Sequence, residues 1–194
     1  MRQLLKPPNL LTLARLLAAP LVAGCIVHEA YGLALVLLAV AGFTDALDGL
    51  LARRFGWSTQ LGAYIDPIAD KILLVTVYVS LGMAGLIPPW LVIVVLGRDL
   101  LILMVAAGAL LGTQYRGFEP SVWGKLSTLV QILTGVMVLG SRVFPWPMLT
   151  LWAGNLPVIT AIVTAWSGLH YAWRFAQTLR ANRARGFPEG STRG

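Results

Sequence analysis

Six long apolar runs divide the chain, at about residues 10–27, 31–53, 66–86, 89–111, 122–140 and 148–173. A helix needs roughly 20 residues to cross the hydrocarbon of a bilayer. Runs of that order recur through 194 residues and leave little chain for anything else. Inside hydrocarbon every backbone N–H and C=O must be satisfied within its own segment, so the runs are expected as helices. The expected fold is an all-α, integral membrane, six-transmembrane-helix bundle. Only 12% of residues are charged and 57% are hydrophobic, whereas a soluble domain carries about 25% charged residues. A soluble helical core would therefore lack polar surface. No internal repeat and no second domain is apparent. Residues 1–174 read as one membrane domain, and 175–194 as a basic, disordered cytoplasmic tail.

The net charge is +7 and the sequence pI about 10.2. Such a balance fits nucleic acid or an anionic membrane surface. The basic residues sit at the ends of apolar runs and in the tail, which favours the membrane and no nucleic-acid partner. With an even number of spans both termini share a side. Arg2, Lys6, Arg53, Arg54, Arg116, Lys125 and the tail arginines fall on it, and Arg142 falls on the other. Lysine and arginine accumulate on the cytoplasmic side. The termini and the 53–66 connection are thus expected in the cytoplasm of a multi-pass protein, in a bacterial inner membrane. The basic tail either attracts acidic head groups or only fixes orientation. Leu21-Val22-Ala23-Gly24-Cys25 resembles a lipoprotein cleavage box. Arg15 and Pro20 interrupt the apolar run before it, so Cys25 reads instead as a residue packed in the first helix.

Charge inside the spans carries the chemistry. A carboxylate at the centre of a membrane helix costs roughly 2.5–3.5 kcal/mol on insertion scales. Asp45 and Asp48 lie near the end of the second run, and Asp66 and Asp70 open the third. Spacings of i, i+3 and i, i+4 put each pair on one helical face. Two antiparallel helices with a short connection would gather all four into one volume. Clustered carboxylates need compensating protons or cations. Hard oxygen ligands select Mg²⁺, Mn²⁺ or Ca²⁺, and two such ions would leave positions open for phosphate oxygens. The alternative is a set of helix caps and ion pairs with Arg53, Arg54 and Lys71. Gly49, Ala52 and Gly62 would let a ligand approach backbone. Arg53 is placed to hold a phosphate bidentately. Deeper in the chain, Arg98-Asp99 and Lys125 are further charges within spans. Arg98 and Asp99 either balance each other or, with Lys125, mark a pocket for an acceptor phosphate. The two histidines, His28 and His170, read as interface residues.

Asp45-Ala46-Leu47-Asp48-Gly49-Leu50-Leu51-Ala52-Arg53, followed by Gly62, Asp66 and Asp70, resembles the signature of the CDP-alcohol phosphotransferases, D-x2-D-G-x2-A-R-x8-G-x3-D-x3-D. Every fixed position matches, and the resemblance runs from about Pro8 to Arg174. It implies that Asp45, Asp48 and Asp66 ligate a two-metal site of Mg²⁺ or Mn²⁺. It implies that Asp70 is the general base and also approaches a metal. Asp45, Gly49, Ala52, Arg53 and Gly62 would shape the CDP site. Thr12 and Arg15 resemble a first-helix element of the family, with Arg15 a candidate partner for a carboxylate. The resemblance also implies a homodimer.

The reaction so implied is phospholipid synthesis. The phosphatidyl group of CDP-diacylglycerol would pass to an acceptor hydroxyl and release CMP. Ala69-Asp70-Lys71-Ile72-Leu73-Leu74, Arg98-Asp99-Leu100-Leu101-Ile102 and Gly124-Lys125-Leu126-Ser127-Thr128 look like the branch whose acceptor is phosphatidylglycerol and whose product is cardiolipin. Glycerol 3-phosphate, giving phosphatidylglycerophosphate, is the alternative acceptor. It carries more charge than a phosphodiester, yet no Lys or Arg lies between Arg98 and Arg116. A different class, a divalent-cation transporter, would also place acidic residues in facing helices. Here the carboxylates stop at one edge, with no ladder of charge continuing across.

Overall fold

The computed structural model describes the backbone of residues 7–55, 60–112 and 122–185, and the side chains of 13–44, 68–105, 122–174 and 176–177. Among the described residues the chain is all-helical, with α1 (Pro7–Val27), α2 (Tyr31–Phe55), α3 (Gln60–Met83), α4 (Pro89–Gly112), α5 (Val122–Val143) and α6 (Pro147–Arg185). The six helices fall on the six apolar runs. Two of them, over Val122–Val143 and Pro147–Arg174, are clearly long and apolar enough to cross a membrane. Helix α6 continues through the start of the expected tail to Arg185. The disorder expected beyond it lies outside the described residues.

Local chemistry sets the boundaries. Helices α1, α4 and α6 each open on proline, whose missing N–H is unneeded in a first turn. The α1–α2 and α3–α4 hairpins close with the same C-terminal device. Ala30 N–H donates to the Cys25 carbonyl at 2.8 Å around Glu29, and Leu86 N–H donates to the Leu81 carbonyl at 2.9 Å around Gly85. The pivot residue is left-handed in both, with φ 60° at Glu29 and 68° at Gly85. Glycine meets that geometry without strain, and Glu29 meets it at an exposed corner.

Helix α1 packs between α2 and α3, α4 packs on α6, and α5 packs on both α6 and α2. Among the described residues, α2 and α3 make no direct contact although they follow each other in sequence. The faces expected to meet, those carrying Asp45, Asp48 and Asp66, lie outside the described side chains, and α1 packs against both helices. Ile26, Tyr78, Leu81, Leu91 and Leu139 are fully buried at the centre. Gly82 admits α4 to α3, since a Cβ there would stand 2.8 Å from Val92 Cγ2. Cys25 packs against this core as a half-buried thiol.

The seam between α5 and α6 is polar. Ser127, Gln131, Thr134, Thr160, Thr164 and Ser167 are all fully buried. Gln131 Nε2 donates to Thr164 Oγ1 at 3.0 Å, and the Thr134 and Thr160 hydroxyls meet at 2.5 Å. Lipid tails are as apolar as leucine, so helix pairs in a membrane are joined by close packing and such hydrogen bonds rather than by apolar burial. The outer surface is the reverse. Leu17, Val36, Ile93, Leu103 and Ile162 are exposed. Exposed Trp90 and Trp146 lie at the end carrying the α3–α4 and α5–α6 turns, and Trp123 and Trp173 toward the other. Apolar flanks between tryptophan girdles suit a bilayer.

Candidate active site

A belt of charge crosses the bundle at one level, near the middle of α3. Arg15 on α1 is buried, its side chain 3% exposed, and its Nη1 donates to Asp70 Oδ1 on α3 at 2.6 Å. The next residue, Lys71, forms an ion pair with Asp99 on α4. Asp99 also accepts from Arg98 Nη1 at 2.9 Å. Arg98 Nη2 then reaches the Gly124 carbonyl of α5 at 3.3 Å and Ser167 Oγ of α6 at 3.2 Å. Five helices are tied by these contacts. A planar guanidinium with several fixed donors suits this use, because one side chain must serve three acceptors on different elements.

Gly124 makes the last link possible. A Cβ at this position would fall 2.9 Å from Tyr171 Oη and 3.3 Å from Arg98 Nη2. Glycine leaves room for Tyr171 and Arg98 to close over the start of α5.

A cavity of about 490 Å³ opens beside the belt, between α1, α2, α3 and α5. Arg15, Asp70 and Lys71 line it toward the start of α3. Leu38, Val77 and Val136 line it further into the bundle. It occupies the gap between α2 and α3. The register of α2 puts position 45 on the face that carries Ala41 and Gly42, which line the same cavity. Positions 45 and 48 lie toward the end of α2, and 66 and 70 in the first half of α3. The side chains of Asp45, Asp48, Gly49, Ala52, Arg53, Gly62 and Asp66 lie outside the described residues. Asp70 is described and half exposed.

The expected partners Arg98 and Lys125 do not come together around this cavity. Arg98 is buried in its three contacts, and Lys125 is exposed on α5. Of the two readings offered for Arg98, the geometry accounts for the pairing with Asp99. Lys71 had appeared only as one of several ion-pair partners. Its signal was its place, a cation directly after Asp70 inside an apolar run. Ser167 and Tyr171 gave no signal, because single polar residues in a membrane helix are common.

The family model of the CDP-alcohol phosphatidyltransferases matches residues 5–171. The chain belongs to that family. A human cardiolipin synthase (CMP-forming) is 31% identical over 89% of this chain and 64% of its own. A Streptomyces coelicolor cardiolipin synthase (CMP-forming) is 29% identical over 91% of this chain and 86% of its own. A probable phosphatidylglycerophosphate synthase of Mycobacterium tuberculosis is 37% identical over 68% of this chain and 65% of its own. The chain thus spans a little under two thirds of the human and mycobacterial relatives. In this phosphatidyltransferase family member the matched segment includes every residue of the belt.

The belt yields a stability prediction. Gly124→Ala should destabilise the detergent-solubilised protein by about 1–3 kcal/mol, the usual cost of an added carbon in a filled site. Thermal unfolding followed by circular dichroism measures it. An unchanged midpoint would mean that Tyr171 and Arg98 are not held as described.

Proposed function

We propose that this protein transfers the phosphatidyl group of CDP-diacylglycerol to a hydroxyl of phosphatidylglycerol, releasing CMP and giving cardiolipin. The observation that carries the reading is the complete aspartate signature, set on the two helices that face each other across the cavity. The acceptor follows from two supports. Relatives named cardiolipin synthase from human and Streptomyces match 89% and 91% of the chain. The cavity is also mostly apolar, which suits a lipid acceptor. Glycerol 3-phosphate remains the second reading, favoured by the mycobacterial relative at 37% identity over 68% of the chain.

The chemistry assigned to the residues is direct transfer. The acceptor oxygen bonds to the lipid-side phosphorus, the phosphorus–oxygen bond to CMP breaks, and the acceptor proton passes to Asp70. Arg15 holds Asp70 Oδ1, which orients the carboxylate at the wall of the cavity. Asp45, Asp48 and Asp66, with Asp70 beside them, form an all-oxygen donor set that fits two Mg²⁺ or Mn²⁺ ions. Such ions, when bound, neutralise charge on the diphosphate. Gly49, Ala52, Arg53 and Gly62 are assigned to the CDP moiety, as the signature implies. All six helices are read as spans, with the aspartates and both ends of the chain at the cytoplasmic face of a bacterial inner membrane and the protein as a homodimer. A cation transporter would leave the signature spacing without a reason.

Purified protein given CDP-diacylglycerol with each acceptor in turn tests the reading, with products identified by mass. Cardiolipin from phosphatidylglycerol is expected. Phosphatidylglycerophosphate from glycerol 3-phosphate, with no cardiolipin, would overturn the acceptor. In the same assay Asp70→Asn should lower kcat by roughly 10²–10⁴-fold, the usual worth of a positioned base. Near-normal turnover would demote Asp70 to a structural role.

A further inference from the structure

We propose that Lys71 is the cation that receives the acceptor's phosphate, a role that rests on the transferase reading above. Of the described basic residues, Arg15 and Lys71 line the cavity. Arg15 is committed to Asp70 and buried. Lys71 is 38% exposed and stands next to Asp70 in the chain, with both side chains lining the cavity. Lys125 is exposed elsewhere on α5 and does not line it.

Charge balance points the same way. Arg15 and Asp70 pair with each other. In the neighbouring trio two cations, Arg98 and Lys71, share the single carboxylate of Asp99. That carboxylate is buried, 7% exposed, and its Oδ2 has no hydrogen-bond partner among the described residues. The trio therefore carries one excess positive charge. Arg98 is sealed in by Gly124, Ser167 and Asp99, so the excess is available at Lys71. Lys71 is part-exposed on the cavity wall, so an anion there can share it with Asp99. A phosphodiester has the single negative charge required. In phosphatidylglycerol only the glycerol carbons separate that phosphate from the reacting hydroxyl. A hydroxyl at Asp70 therefore puts the phosphate within reach of the adjacent residue. The apolar wall of Leu73, Val77 and Ile132 then receives part of an acyl chain.

The test is steady-state kinetics of the full chain in lipid nanodiscs. Lys71→Gln leaves Arg98 and Asp99 as a neutral pair but removes the α3–α4 ion pair, so its folding is checked by circular dichroism before its kinetics are read. Its KM for phosphatidylglycerol should rise roughly tenfold, the scale of one charge-assisted hydrogen bond, while the KM for CDP-diacylglycerol stays within about twofold. Lys71→Arg should restore most of the loss. The preference for phosphatidylglycerol over monoacylglycerol, which has the hydroxyls and no phosphate, should fall by a similar factor. A rise in the donor KM alone, or no change in either, would overturn the assignment. The wild-type protein offers a second measurement that needs no variant, amine-reactive labelling mapped by mass spectrometry. Phosphatidylglycerol should protect Lys71 and monoacylglycerol should not, and equal labelling in both would overturn the proposal. If the enzyme proves to use glycerol 3-phosphate, the same comparison is made with that acceptor. A raised KM for it keeps Lys71 in place, and an unchanged one removes it.

Discussion

A carboxylate buried between cations from two helices is the contact on which the rest of this bundle depends. Asp99 accepts from Arg98 on its own helix and pairs with Lys71 of α3. Arg98 in turn reaches the start of α5 and the middle of α6. Charge at membrane depth is tolerated only where a partner answers it. Once Asp99 is fixed, the heights of α3, α4, α5 and α6 relative to one another are fixed with it. Asp70 lies one residue from Lys71 and is held by Arg15, so α1 is set at the same level. The proposed catalytic carboxylate is thus positioned by the same contacts that hold the helices.

The remaining packing divides the bundle into a stiff part and an open part. Helices α5 and α6 are joined by a buried row of hydroxyls and one amide. Tyr78 extends that row to α3 by donating to the Gln131 carbonyl at 2.9 Å. Between α2 and α3 the packing is interrupted, and the cavity takes its place. Helix α1 packs against both α2 and α3, and the cavity lies between their described residues.

Much of this was legible from sequence, for a physical reason. A long apolar run satisfies its backbone as helix, so the runs nearly coincide with the helices, and prolines mark three starts. The signature aspartates announced themselves because carboxylates in apolar runs are costly. Sequence reasoning was less able to foresee which helices touch. It set α2 beside α3 because a short connection joins them, and gave no sign that α1 packs against both. It grouped Arg98 with Lys125 by charge alone, and three-dimensional packing turned Arg98 inward while leaving Lys125 outside. The polar α5–α6 seam was missed because serine and threonine in a membrane helix satisfy their own backbone as readily as a neighbour. Thr134 does both, donating to the Val130 carbonyl while meeting Thr160.

The central claim is that the aspartates of α2 and α3 form one divalent-metal site that performs phosphatidyl transfer. The most direct measurement is a Mn²⁺ titration of the purified protein followed by electron paramagnetic resonance, before any substrate is added or turnover measured. Saturable binding of two ions per chain in a spin-coupled pair is expected, with Asp48→Asn weakening it at least about tenfold, as removal of a ligand does. Absence of bound Mn²⁺, or binding that Asp48→Asn leaves unchanged, would contradict it.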